Sequence, residues 1–128
     1  LIRTPSNAEV AVPRAQVALT AHAAGCEAID IVYTRVRDGE GYRRECEEGR
    51  RIGYTGKQVI HPSQIAPAHA AFSPSDGEIA WAGRVIEAYR ASSRGALVLD
   101  GQMVDAPIVA QAERILNRAR RRGPAARA

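Results

Sequence analysis

The sequence predicts an α/β fold in which helices alternate with short parallel strands. Its patterns run helix, strand, helix, strand, helix through residues 6–95. The apolar residues Ile29, Ile31, Val32 and Tyr33 form a short run that is typical of a strand buried on both faces of a parallel sheet. Because two strands do not make a stable parallel sheet, we expect these elements to close a larger α/β domain, followed by a hairpin and a last helix.

The first helix is predicted from the signals at its two ends. The segment Ser6–Glu9 has the form of a capping box, and Pro13 suits a first helical turn. The alanine-rich segment that follows should end at Gly25.

The next helix and strand follow from their patterns and turn residues. Residues 41–53 form an amphipathic helix pattern closed by Gly53. The run Lys57–His61 is too short for a helix and rich in β-branched residues, so it predicts the second strand.

Three further elements are predicted after this strand. Ser73 and Pro74 suit the N-cap and first turn of a helix that continues to Gly95. The dipeptide Asp100-Gly101 between two apolar arms is typical of a tight hairpin. Asp105 then opens a last helix, and residues 123–128 are expected to be disordered.

Composition excludes several classes of protein. The 128 residues carry 18 Lys and Arg against 14 Asp and Glu, a net charge of +4 that says little about partners. Cys26 and Cys46 lack the spacing of a zinc site or a disulfide framework. No apolar run approaches 18 residues and no leader pattern opens the chain, so we expect no membrane partner and a cytoplasmic location, or a mitochondrial one if a targeting segment precedes Leu1.

Three separated segments carry a resemblance to a known family. They are, in order, "AIDIVYTRVRDGEGYRRECEEGRRIGYTGKQVIHPSQI", "FSPSDGEIAWAGRVIEAY" and "GALVLDGQMVDAPIVAQAERIL". Over about residues 3–118 the chain resembles the C-terminal part of the citrate lyase β-subunit-like family, the acyl-CoA lyase branch of the HpcH/HpaI aldolases. The resemblance implies a (β/α)8 TIM barrel that binds Mg²⁺ and a CoA thioester and forms a homo-oligomer, with a trimer favoured.

The same resemblance implies how the chain divides and what the parent protein does. Residues 1–95 correspond to closing βα units of the barrel, 96–122 to a C-terminal hairpin-helix lid and 123–128 to the tail. The implied enzyme is a carbon-carbon lyase that cleaves or forms a 3-hydroxyacyl-CoA such as citramalyl-CoA or malyl-CoA, with acetyl-CoA and an α-keto acid as the other partners. This chain by itself is expected to be inactive.

Three residues are candidates for the site. The resemblance implies that Ile60 and His61 touch the acyl-CoA, and that Asp105 reaches from the lid over a neighbouring subunit as the acid/base at the acetyl carbon. Each polar candidate also has a structural interpretation. His61 ends a strand, where barrel sites lie, yet it also suits a hydrogen-bonded linker to the next turn. Asp105 directly before a helix suits an N-cap.

Other charged and polar residues are expected to have structural roles. Lys57 starts its strand, on the stability face of a barrel, and is predicted to be an ion-pair partner. Asp38 fits turn chemistry, and Glu47–Arg51 fits a solvated helix face. His22 and His69, both among alanines, are expected to be packing or surface residues.

Two competing functions remain open from the sequence. The family holds Mg²⁺ with a Glu and an Asp at positions that correspond to residues before Leu1, so no metal site is expected here and a non-catalytic paralogue or scaffold subunit is an alternative. A nucleic-acid-binding fragment is the other, from the segment Arg114–Gly123 and a pI near 9.6. The lack of lysine and of interleaved aromatic residues in that segment argues against nucleic acid as a partner.

Overall fold

The helices and strands follow the predicted order along the chain, except that the structure adds an unpredicted helix at Ile65–Phe72. The computed structural model describes residues 4, 6–92 and 95–121, so the predicted tail lies outside the described residues. The helices are α1 (Ala11–Ala23), α2 (Gly39–Ile52), α3 (Ile65–Phe72), α4 (Asp76–Ala91) and α5 (Ala106–Arg121). The strands are β1 (Ile29–Asp30), β2 (Gly56–Lys57), β3 (Leu97–Leu99) and β4 (Gln102–Val104). Two compact units result, Leu1–Phe72 and Ser73–Ala128.

The first unit is built on a parallel pair of very short strands. β1 pairs with β2 in parallel, with Ile29 opposite Gly56 and Asp30 opposite Lys57, which confirms the predicted strand direction. The prediction of burial on both faces is wrong for Ile29, which is 54% exposed, whereas Asp30 is fully buried. Successive side chains point to opposite faces of a strand, and Asp30 points to the face where Arg14 of α1 and Lys57 of β2 bond to it.

The predicted capping box before α1 is wrong. A short 3-10 helix, Ala8–Val10, precedes α1, and its N-cap Asn7 adopts a left-handed conformation without a side-chain cap. The carboxylate of Glu9 instead accepts hydrogen bonds from the N–H and the hydroxyl of Thr4, at 2.9 and 2.6 Å. The predicted helix end is confirmed, because Gly25 has a φ of +69° directly after the last turn of α1.

The second helix ends as predicted. α2 closes at Gly53, whose φ of +118° is a left-handed conformation that glycine adopts without strain. The core of the first unit packs below this helix and consists of Ala18, Ala28, Tyr33, Tyr42, Cys46, Tyr54, Ala68 and Phe72.

The helix α4 begins later than the sequence predicts. Its N-cap is Ser75 and not Ser73, since Ser75 and Glu78 form a reciprocal capping box. The Ser75 hydroxyl accepts from the Glu78 N–H at 3.2 Å, and the Glu78 carboxylate accepts from the Ser75 N–H at 2.7 Å. The helix ends at Ala91, before the predicted Gly95.

The predicted hairpin and last helix are confirmed. β3 pairs with β4 in antiparallel register, with Leu99 opposite Gln102. Asp100 and Gly101 between them have φ values of +51° and +77°, the signs that a type I′ turn requires. α5 follows after Asp105, and the core of this unit consists of Ala82, Val85, Ile86, Val104 and Ala112. None of the described helices combines the length and apolarity needed to cross a membrane.

We expect the polypeptide of residues 1–128 to self-associate when it is produced alone. Large apolar side chains lie exposed on α1, among them Val12 at 69% and Leu19 at 68%, and such surfaces promote association. Light scattering should show a mass that rises with concentration, and the double variant Val12→Lys, Leu19→Lys should associate less. A monomer that melts in one sharp cooperative transition would contradict the prediction.

Candidate functional site

A buried ion network joins the helices and strands of the first unit. Asp30 on β1 accepts two hydrogen bonds from Arg14 on α1, at 3.1 and 2.8 Å. Lys57 on β2 donates to Asp30 at 3.1 Å and to Glu45 on α2 at 2.6 Å. The side chains of Lys57 and Asp30 are fully buried. The predicted role of Lys57 as an ion-pair partner is therefore confirmed.

The network reaches the surface through Arg14. Its Nη1 donates to Glu48 at 3.2 Å, and the Glu48 side chain is 51% exposed. Burial alone would lower the pKa of Arg14, but the hydrogen bonds and charges of Asp30 and Glu48 outweigh it and raise the pKa. Gly49 is buried beside the network, where an added Cβ would lie 2.7 Å from an oxygen of Asp30. The solvated face predicted for Glu47–Arg51 is therefore wrong at Gly49, which is buried, whereas Glu48 is exposed although it pairs with Arg14.

The carboxyl end of β1 carries a second polar cluster. The Tyr33 hydroxyl donates to Asp38 Oδ2 at 2.5 Å, and Arg35 Nη2 donates to the Tyr33 oxygen at 2.7 Å. Asp38 Oδ1 accepts from the Gly41 N–H at 2.8 Å, so Asp38 is the N-cap of α2. The hydrogen bond from Tyr33, then that from Gly41, lowers the pKa of Asp38. Both carboxylate oxygens are engaged, which agrees with the structural role expected for this residue.

β2 ends at Lys57, so the strand predicted over Lys57–His61 is wrong beyond its first residue, and the residues that follow turn at His61. His61 is the N-cap of a 3-10 helix, Pro62–Gln64, and its Nδ1 accepts from the Ser63 N–H at 3.2 Å. The same Nδ1 lies 2.8 Å from the Ser63 hydroxyl. Since Nδ1 accepts the backbone N–H, the neutral ring carries its proton on Nε2. The linker interpretation of His61 thus describes its geometry, while the exposed ring keeps a donor available.

Two further residues complete this strand end. Ile60 is 51% exposed, so an apolar side chain stands next to the His61 ring. Gln64, which sequence reasoning did not single out, is only 2% exposed. Its side-chain oxygen accepts from the Ile60 N–H at 2.9 Å. A glutamine inside a turn has no sequence pattern that marks it as buried, so only the fold reveals this contact.

Asp105 lies in the second unit, at the junction of the hairpin and α5. Its Oδ1 accepts from the Ile108 N–H at 3.3 Å, and its carbonyl accepts from the Val109 N–H at 3.0 Å. The N-cap interpretation therefore describes its geometry. Asp105 belongs to a different unit from Ile60 and His61, and its acid/base role stays a prediction.

The remaining histidines and cysteines lie as expected. His22 Nε2 is 2.7 Å from the Gly53 carbonyl and links the ends of α1 and α2, and His69 is exposed on α3. Cys26 and Cys46 are free thiols. Burial raises the pKa of the Cys46 thiol, so this residue is a poor nucleophile.

No metal site is formed by the described part of the chain. Within residues 4, 6–92 and 95–121, no group of three or more His, Cys, Asp or Glu side chains is placed to hold a metal ion. The buried carboxylates of Asp30 and Glu45 already face Arg14 and Lys57. We therefore assign no metal-dependent step to these residues.

Comparisons with known proteins identify the relatives of this chain. A sequence model of the HpcH/HpaI aldolase/citrate lyase family matches residues 1–62. The citrate lyase subunit beta-like protein of Deinococcus radiodurans is 43% identical over 118 residues, which cover 90% of this chain and 42% of that protein. The human mitochondrial citramalyl-CoA lyase is 44% identical over 103 residues, which cover 78% of this chain and 30% of that protein.

A solved structure shows the same α/β arrangement. The protein CitE from Mycobacterium tuberculosis, in complex with magnesium, acetoacetate and coenzyme A, matches with a TM-score of 0.76 and 38% identity. The match covers 91% of this chain and 45% of that one. The chain thus spans less than half the length of the relatives it matches.

We expect Asp30→Asn to destabilise the full-length protein strongly. The change removes the charge that Arg14 and Lys57 share, and breaking a buried ion pair by removing one partner costs about 3–5 kcal/mol. Denaturant unfolding should show this loss. The matched control is Glu40→Gln, because the pair of Glu40 with Arg44 is exposed and such pairs contribute about 0.5 kcal/mol. Equal stability of the two variants would contradict the importance of the network.

Proposed function

Because the chain belongs to the HpcH/HpaI aldolase/citrate lyase family, we propose that the full-length protein is a Mg²⁺-dependent acyl-CoA lyase. The enzyme cleaves or forms the carbon-carbon bond of a 3-hydroxyacyl-CoA, such as citramalyl-CoA or malyl-CoA, with acetyl-CoA and an α-keto acid as the other partners. The similarity to citramalyl-CoA lyase carries this proposal. A cytoplasmic location and a trimeric assembly stay predictions.

In the proposed enzyme, the first unit is part of a (β/α)8 barrel. β1 and β2 are parallel neighbours, and α1, α2 and α3 alternate with them, as in the repeating unit of such a barrel. Active sites of barrels lie at the carboxyl ends of the strands, where Tyr33 and Ile60 are found. Residues 1–95 would then form closing βα units, and residues 96–122 the lid.

Ile60 and His61 are proposed to bind the acyl end of the CoA thioester. The exposed Ile60 side chain offers an apolar surface to the acyl chain. His61 keeps its Nδ1 occupied by the turn, so its Nε2–H donates to a carbonyl oxygen of the substrate. A donor aimed at an oxygen on which negative charge develops stabilises the transition state of enolate chemistry. Residues outside the described ones would hold Mg²⁺, which would polarise the keto group when bound.

We expect His61→Ala to lower kcat/KM for the acyl-CoA about 10- to 100-fold while the melting temperature stays within a few degrees. The reason is the loss of one donor to the substrate carbonyl. Steady-state kinetics of the full-length protein measure the effect, and His69→Ala, at an exposed histidine on α3, is the control.

A second variant separates binding from capping. His61→Asn keeps a side chain that caps the following turn but removes the ring N–H. If His61→Asn restores wild-type kinetics, capping is the whole role of His61 and the proposed substrate contact is wrong.

Asp105 is proposed to move the proton at the acetyl carbon of a substrate bound to a neighbouring subunit. Its bonds to the first turn of α5 hold the carboxylate at the base of the hairpin. Val98 and Met103, opposite each other in that hairpin, are 72% and 70% exposed. An apolar face of this kind suits a lid, and a closed lid excludes water from a reactive enolate.

We expect Asp105→Asn in the full-length oligomer to keep the fold and to lower turnover on the order of 10²–10⁴-fold. Asparagine caps a helix as well as aspartate does, so only the acid/base chemistry is lost. Turnover is measured as acetyl-CoA release. The control is Asp100→Asn, the same change in the hairpin turn, where asparagine also tolerates a positive φ.

The contribution across subunits has its own test. Asp105→Asn subunits are mixed with subunits that lack the metal-binding Glu of the family, so that one mixed interface joins an intact lid to an intact metal site. Partial recovery of activity is expected. Mixed oligomers that assemble but stay inactive would contradict the role of Asp105 in a neighbouring site.

A further inference from the structure

The backbone pairing of β1 with β2 stops before the strand ends that carry the candidate site. Its last bond runs from the Gln58 N–H to the Asp30 carbonyl, at 3.1 Å. Within the described chain, no backbone hydrogen bond joins residues 31–34 to residues 59–61. Another link is therefore needed to hold Ile60 beside the end of β1.

The side-chain amide of Gln64 supplies this link. Its Nε2 donates to the Tyr33 carbonyl at 2.9 Å, and its Oε1 accepts from the Ile60 N–H at 2.9 Å. A primary amide carries a donor and an acceptor as a peptide group does, so it can stand between two strands as one more rung of the ladder. Gln64 is 2% exposed, which keeps water from competing for these bonds.

The turn that contains Gln64 fixes the same residues from the other side. The Gln64 N–H donates to the His61 carbonyl at 3.0 Å, and the Ser63 N–H donates to the His61 ring. The Ile60 N–H, the His61 carbonyl and the His61 ring are thus each held by a bond from within residues 61–64. The backbone that carries the exposed side chains of Ile60 and His61 is therefore held by hydrogen bonds, including those of the buried Gln64.

We propose that Gln64 is a positioning residue for the acyl-CoA site, which it serves by extending the β1–β2 ladder to Ile60. The inference rests on the proposed lyase function, in which Ile60 and His61 contact the thioester end of the substrate. Gln64 itself is buried and does not reach the substrate. It fixes the distance between the two strand ends, and with it the place of the His61 donor. A displacement of such a donor by about 1 Å can lower the rate about 10²-fold.

The test compares three variants in the full-length protein. Gln64→Met removes both amide bonds at similar volume, and Gln64→Asn keeps an amide that is one methylene too short to reach both partners. The control is Gln58→Met, at an exposed glutamine of the same segment. In both Gln64 variants we expect kcat/KM for the acyl-CoA to fall about tenfold, because the displaced His61 donor stabilises the transition state less, and hydrogen exchange at the Ile60 amide to be faster. The control should match wild type in both measurements.

The outcomes separate this inference from the proposed function. If the Gln64 variants only melt earlier and keep the wild-type kcat/KM, Gln64 is a structural residue and the inference is wrong. Should Gln64→Met fail to fold, Gln64→Asn alone decides by the same measurements. If wild-type protein neither binds nor turns over any acyl-CoA, the lyase function fails first and the inference falls with it.

Discussion

The structure of the first unit depends on one buried carboxylate. Asp30 has no exposed surface, and its two oxygens accept from Arg14 and Lys57, which come from different elements. The register of the strands places Asp30 directly opposite Lys57, so a slip by one residue would move one of them to the other face and leave a charge unpaired. The network therefore fixes the register of β1 and β2, which are too short for backbone pairing alone to fix it. It also places charged groups on the side of this strand pair that faces the helices.

Because the buried carboxylates are paired, the candidate binding groups lie at the ends of the strands and helices. Asp30 and Glu45 are neutralised in place, and Asp38 has both oxygens occupied at the end of β1. Ile60 and His61, which follow β2, are exposed and are the residues of this unit that we propose to contact the ligand. This division agrees with barrel enzymes, where buried contacts around the strands stabilise the fold and catalytic residues follow the strand ends.

Much of this organisation could be predicted from the sequence, because its signals are local. Gly25, Gly53 and the Asp100-Gly101 turn require special backbone angles, and each has them in the structure. Interactions between distant residues could not be predicted. Arg14 and Asp30 lie 16 residues apart, and Gln64 reaches Tyr33 across 31 residues, so neither contact has a sequence pattern. The misplaced start of α4 shows a local limit, since Ser73 and Ser75 offer similar signals and only Ser75 has Glu78 in reach.

Three polar residues at element ends share one physical property. Asp38, His61 and Asp105 each accept a backbone N–H at the start of a helix, so each side chain is held in a defined direction before any ligand arrives. Capping and catalysis are compatible for this reason, because a cap uses one acceptor atom and leaves the rest of the group available. His61 uses Nδ1 and keeps Nε2–H, and Asp105 engages Oδ1. A substitution by alanine removes cap and chemistry together, so its effect on rate is assigned by comparison with the asparagine variant. Substitution by asparagine retains the cap and changes only the donor or the base, which makes it the informative change at both candidate positions.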